Sequence, residues 1–330
     1  MPSYPGISAS AFRHPLDAQA EDALRSVPGF DLVARRFLEY TLDRPRYIYL
    51  MANGIEVGPQ QYSSIYQIYR ECLRDLDISP EPTLFVSQDP LVNAYTIGQE
   101  RPSVVLTTGL LDLSGSQELR SVIAHEMGHL KCGHVTLNQM AYWVMLVTSG
   151  LADMTFGVST LITTGLLAAF FEWKRRAELS ADRAALLVMD DLEPVLQNMM
   201  HLAGGSTRYA NELSLPEFIQ QSQRYQDLDE DGLNQVYKFF LYNNFSQNTF
   251  QTHPFTVERV SYLQDWANSE EYRQIRAGNY RQTTEGAVVV EPISTTTDTT
   301  PTAGAEDVER LRRELEELQA EIDRIKRSRS

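Results

Sequence analysis

Five consecutive residues constrain this chain more than any bulk property does: His125-Glu126-Met127-Gly128-His129, the pattern His-Glu-x-x-His inside a stretch that reads as helix. Residues four apart share a face of an α-helix, so both imidazoles can reach one ion at the roughly 2.0–2.1 Å that zinc prefers. Glu126 lies about 100° around the helix from His125, close enough to hold a water without joining the ligands. Its carboxylate can take a proton as that water attacks a carbonyl, then return it to a leaving amine. Val122, Ile123, Ala124 and Met127 make the same helix apolar, and polar groups buried there need partners. The motif points to one Zn2+ per chain, with His125 and His129 as ligands and Glu126 as general base.

A catalytic zinc takes three protein ligands, so another segment has to supply one. Glu178 and Asp182 are four apart in the run Glu172 to Asp182 and share a face if that run is helical. One of them can ligate while the other accepts from the distal N–H of a ligating imidazole. Spacing alone leaves open which does which, and a solvated pair satisfies it equally. Other candidates fit less well. His134, nine residues after His125, falls on the opposite face of a continued helix, and Cys132 lies about 10 Å along the axis from His125. Asp227-x-Asp229-x-Asp231-Gly232 opens like a calcium loop, but Lys238 stands where a bidentate Glu is needed.

Residues 1–29 read as an irregular lead. Helical periodicity follows from Phe30 to Leu42, Tyr47 to Leu50 reads as a strand, and a second helix opens after Pro59. Thr83 to Ser87, Val92 to Ile97 and Ser103 to Thr107 are β-branched or aromatic runs bounded by Pro and Gly, which predicts a sheet of about three strands. Helical patterns dominate from Ser116 onward. Residues 141–171 are strongly apolar, and two readings compete: a bilayer pass or a hairpin that stays on one side. A single pass would separate His129 from Glu178, so the hairpin, buried or lying on a membrane surface, is the compatible form. Residues 281–305 are rich in Thr and Pro and read as a linker. Residues 306–330 carry a heptad seam through Val308, Leu311, Leu315, Leu318, Ile322 and Ile325, so self-association through 306–327 competes with docking of an amphipathic helix.

The 330 residues carry a formal charge of −15, without the clustered Lys and Arg that phosphate binding demands; no nucleic-acid partner is expected. Two cysteines, Cys72 and Cys132, form no disulfide framework. The first thirty residues hold no apolar run of the length a secretory signal needs. These features favour a cytoplasmic setting, with membrane association through 141–171 as the alternative.

The motif His125-Glu126-x-x-His129, with Glu178-Leu179-Ser180-Ala181-Asp182, Asn93-Ala94-Tyr95 upstream and Thr252-His253-Pro254 with Arg259 downstream, resembles the M48 family of zinc metallopeptidases. The likeness runs from about Phe30 to Tyr280 and suits the soluble or peripheral branch. It implies an α+β, predominantly helical, zincin-like core with a small β-sheet beside the metal-motif helix. It further implies Glu178 as third zinc ligand, with Asp182 behind a ligand. His253 and Arg259 would stabilise the oxyanion, and Asn93, Ala94 and Tyr95 would lie on an edge strand that receives an extended peptide. The expected activity is hydrolysis of internal peptide bonds in unfolded or extended proteins, as in protein quality control. The rival is a membrane-associated client-binding or assembly factor with weak or gated proteolysis.

Overall fold

The β-branched runs form the sheet. Its strands are β1 (Ile55–Glu56), β2 (Thr83–Ser87), β3 (Ala94–Ile97) and β4 (Ser103–Thr107), in the order β1-β2-β4-β3. β4 is buried along its whole length. It pairs in parallel with β2, Thr83 opposite Ser103, and antiparallel with β3, Ala94 opposite Leu106. Among the described residues β3 therefore ends the sheet. The fourth strand, which the sequence does not predict, is β1, two residues that follow the Asn53-Gly54 turn and pair antiparallel with β2. The computed structural model describes residues 2–39, 43–98, 101–148, 160–228 and 256–283, all within one compact unit, Met1–Glu291.

Helices make up most of the rest: α1 (Pro15–Arg25), α2 (Phe30–Glu39), α3 (Asp43–Asn53), α4 (Ser63–Asp75), α5 (Thr108–Leu113), α6 (Ser116–Lys131), α7 (His134–Thr148), α8 (Thr160–Met189), α9 (Leu192–Gly204), α10 (Leu215–Asp227), α11 (Thr256–Ala267) and α12 (Glu270–Arg276). The expected α+β, mainly helical fold is the one observed. α6 is its axis. Glu118 reaches back to the Gly115 N–H at 2.7 Å, satisfying a donor the helix start leaves open. From Leu119 to Leu130 every residue is buried, because α4, α8, α9 and β3 surround the helix. Arg120 is tolerated in that interior because Asp75 of α4 meets its guanidinium at 2.6 Å and Glu71 also pairs with it.

Gly128 sets the distance between α6 and α8. A Cβ there would lie 2.7 Å from Ala184 Cβ and 2.9 Å from Ala181 Cα. Neither atom is a flexible tip that could swing aside, so the helices cross this closely only over glycine. The crossing brings the 178–182 face of α8 to the 125–129 face of α6.

Three sequence expectations need correction. Residues 1–29 are not an irregular lead: α1 occupies Pro15–Arg25 and packs on α8. His14 caps it, Nδ1 accepting from the Leu16 N–H at 3.1 Å, with Pro15 in the first turn. Its inward face includes the fully buried Asp17, so hydrophobic periodicity could not reveal it. Tyr47 to Leu50 is helix, not strand, with Pro45 in the first turn of α3, where proline is compatible. The linker reading of 281–305 fails at its start, since Ile7 bridges to Gln282 and Ser8 N–H donates to the Arg281 carbonyl at 2.9 Å.

α7 and α8 pack on each other; residues 149–159 lie outside the described residues. α8 then runs on without a break to Met189, so the second arm of the apolar hairpin and the segment bearing Glu178 are one helix. Among the described residues no helix is long and apolar enough to cross a membrane. His253, the acidic run from Asp229, most of the linker and the heptad segment 306–330 also lie outside the described residues.

Candidate metal and catalytic centre

α6 carries His125 and His129 one turn apart, and α8 carries Glu178 across from them. The two Nε2 atoms are 3.2 Å apart. Glu178 Oε2 is 3.3 Å from His125 Nε2, and its Oε1 is 3.4 Å from His129 Nε2. A tetrahedron built on bonds of about 2.0–2.1 Å has edges of about 3.3–3.4 Å, so these donors stand at the spacing of a zinc shell.

The protons on the rings follow from their other partners. His125 Nδ1 meets Asp182 Oδ1 at 3.0 Å; an ionised carboxylate only accepts, so Nδ1 carries the hydrogen and Nε2 keeps its lone pair. His129 Nδ1 faces His134 Nδ1 at 2.9 Å, and His134 Nε2 faces Asp17 Oδ2 at 3.0 Å. Asp17 accepts from His134 Nε2–H, and with a neutral His134 ring Nδ1 then accepts from His129 Nδ1–H, which puts the His129 lone pair on Nε2. On these tautomers two nitrogen lone pairs stand 3.2 Å apart, an arrangement that a shared cation satisfies.

Charge leads to the same conclusion. Glu126, Glu178 and Asp182 are all at most 2% exposed, and among the described residues Arg259, also buried, pairs with Glu178 and Asp182. Carboxylates buried side by side draw in positive charge, which a divalent cation supplies. Burial pushes His129 down to about 4, so the ring is neutral and able to ligate near pH 7. Burial also opposes a charge on His125, but Asp182 and Glu178 outweigh it and raise its pKa; the carboxylates draw positive charge to this spot. Burial likewise works against an ionised Asp182, and Arg259 with His125 overcomes it, holding the carboxyl below its ordinary range. The donor set fits a bound divalent metal.

Glu126 stands beside the ligands, and Thr96 of β3 donates its hydroxyl to Glu126 Oε2 at 2.7 Å. Both open onto a cavity of about 1310 Å3 that is also lined by Asn93, Ala94, Tyr95 and the ligands themselves. The structure thus gathers His125, Glu126, His129, Glu178, Asp182 and Arg259 at one centre and sets Asn93 to Tyr95 along its rim. Arg259 is engaged by carboxylates: Nε and Nη2 donate to Asp182 at 2.7 and 2.5 Å, and Nη1 lies 3.0 Å from Glu178 Oε2.

An imidazole pair and a glutamate from a second helix, with an acid beside them in a long cleft next to a sheet, define a metal-dependent hydrolase of zincin-like build. The sequence model of peptidase family M48 matches residues 59–267, and the chain belongs to that family; it is a metalloprotease. It is 31% identical over 286 residues to the plastoglobule-localized metallopeptidase 48, chloroplastic, of Arabidopsis thaliana, covering 84% of this chain and 78% of that one. Among bacterial relatives, a protease HtpX homolog of Polynucleobacter necessarius is 26% identical, covering 67% of this chain and 80% of its own. Another, from Dictyoglomus turgidum, is 28% identical over 56% of this chain and 63% of its own. No solved structure matches significantly.

Sequence reasoning missed Thr96, Asp17 and the placement of His134. The helical wheel excluded His134 because it assumed that α6 continues. Instead α6 ends at Lys131, the chain reverses at Gly133, whose φ is +72°, and His134 begins α7. The signal was present: Gly133, two residues past the last helical position, is a common place for a helix to stop.

Proposed function

We propose that the chain is a zinc endopeptidase in which His125, His129 and Glu178 hold the ion and Glu126 is the general acid–base. The convergence of two lone-pair nitrogens and a carboxylate beside Glu126 in one open cleft carries this reading. When bound, the zinc polarises the scissile carbonyl and makes water more acidic. Glu126 accepts a proton from the attacking water as the new C–O bond forms, then passes it to the amide nitrogen as the C–N bond breaks. Thr96 fixes the carboxylate oxygen that does not need to move. Asp182 and Arg259 hold His125 and Glu178 in place, so Arg259 acts by orienting ligands; His253 remains the candidate for stabilising the oxyanion.

An extended segment lying along β3, past Asn93, Ala94 and Tyr95, presents a peptide bond to Glu126 whatever its sequence, since contact runs along the backbone. That favours unfolded or extended protein substrates and a part in quality control. The chloroplast relative is named for its place at plastoglobules, which supports surface attachment through residues 141–171. The test is digestion of casein by the purified chain with and without chelator, followed by zinc addition. Glu126→Gln should lower the rate by at least about 10²–10⁴-fold while zinc stays bound. Cleavage that persists in Glu126→Gln refutes the assignment.

A further inference from the structure

The metal-proximal network does not stop at the ligands. Behind His125 stands Asp182, on the same helix as Glu178. Behind His129 stands a second ring, His134, fully buried and packed edge-on to Trp173 with centroids 5.6 Å apart. Behind His134 stands Asp17 of α1, also fully buried, more than a hundred residues away in sequence and outside the segment 59–267 that matches the family. Asp17 is itself fixed from three sides. Arg13 Nε donates to Oδ2 at 2.8 Å and its Nη2 to Oδ1 at 3.0 Å. Ser180 Oγ donates to Oδ2 at 2.6 Å and accepts from the His14 backbone N–H at 3.0 Å. Ser180 lies two residues beyond Glu178, so the same short stretch of α8 bears a metal-ligand candidate and anchors α1.

We propose that Asp17 and His134 are positioning residues for the metal centre: a carboxylate–imidazole relay from the N-terminal helix that fixes the tautomer and orientation of His129. The inference rests on the zinc reading of the site and extends it. Its chemistry is a one-way chain of hydrogen bonds. Asp17 can only accept, so His134 donates from Nε2; in a neutral His134 ring Nδ1 can then only accept, so His129 donates from Nδ1 and offers Nε2 to the metal. Without Asp17, the His134 ring is free to carry its hydrogen on Nδ1, where it confronts the Nδ1 hydrogen of His129 and turns the ligand away. Partners in this position usually contribute about ten- to a hundred-fold to metal affinity. The relay also makes α1, which the family match does not include, a working part of the centre.

Zinc affinity, measured by competition with a chromophoric chelator on the full chain, separates this role from packing. Melting of the metal-free protein is recorded alongside it. His134→Phe keeps a ring against Trp173 but can neither accept from His129 nor donate to Asp17. His134→Gln keeps one acceptor and one donor. The expected result is a ten- to hundred-fold loss of zinc affinity in the Phe variant with substantial recovery in the Gln variant. Asp17→Asn should weaken zinc binding, and in the double variant Asp17→Asn/His134→Phe the two losses should not add, because one chain carries both. Should His134→Phe fail to fold without metal, Asp17→Asn alone decides: weakened zinc supports the relay, and wild-type affinity overturns it. Folded variants that all bind zinc like the wild type also overturn it. If the wild-type chain itself binds no zinc, the underlying metallopeptidase reading fails, which is a different result.

Discussion

Thr96 holds Glu126 from the sheet while the proposed ligands come from helices, so the proposed base has an anchor that the metal site does not share. A hydrogen bond to a charged group is worth about 1.5–3 kcal/mol when buried; Thr96 is half-buried, which favours the lower end. Thr96→Val removes the hydroxyl and keeps the branched shape. The expected outcome is a fall in kcat of roughly tenfold, the equivalent of about 1.4 kcal/mol, with KM and zinc content little changed. Steady-state kinetics with metal analysis checks this, and a loss of bound zinc in step with activity would show Thr96 supporting the ligands instead. At this scale the sequence was legible wherever function follows from fixed spacing: His125, Glu126 and His129 sit on one helix as the motif requires. It was silent on Thr96, whose partner is 30 residues away across a strand–helix contact that no local pattern encodes.

At the scale of elements, two close fits decide whether the centre assembles. The α6–α8 crossing tolerates only glycine at position 128, where an added methyl would meet Ala181 and Ala184. Gly128→Ala should destabilise the fold by about 1–3 kcal/mol through overpacking, even though alanine is the better helix former. Because the displaced helix is the one carrying Glu178, zinc affinity should fall along with the melting temperature; unchanged affinity would mean that the helices slide without separating the ligands.

The second fit is α1, whose cap titrates. Burial, followed by the nearby Arg183, lowers His14 to about 4, below its ordinary 6.5, so the unfolded chain binds the extra proton first. The neutral ring's contribution is complete above about pH 6.5 and fades as pH falls through 4, as Nδ1 loses the lone pair that accepts from Leu16. His14→Asn, which caps without titrating, should flatten that part of the pH–melting curve of the metal-free protein. Parallel curves for the two proteins between pH 4 and 6.5 would remove His14 as the cause. β2 and β4 were readable to the residue because Pro82 and Pro102 stand directly before their apolar runs. α1 was not, because charged and polar residues fill much of its buried face.

For the whole molecule, the centre ties distant parts of the chain together: α1 through Asp17, β3 through Thr96, α6 through the imidazoles, α8 through Glu178 and Asp182, and α11 through Arg259. The donor set is assembled only when all of these elements are in place, so metal binding and folding have to be linked. A ligand that binds only the folded state at a hundred times its Kd stabilises it by about 2.7 kcal/mol, and for a unit of this size each kcal/mol moves Tm by about 2–4 °C. Saturating zinc should therefore raise Tm by roughly 5–11 °C over the chelated protein. Glu178→Gln weakens the site but keeps its volume, and most of that increment should disappear. Calorimetry on both proteins, with and without zinc, measures the four melting temperatures. A zinc-induced rise of equal size in wild type and Glu178→Gln would show that the ion binds elsewhere on the chain.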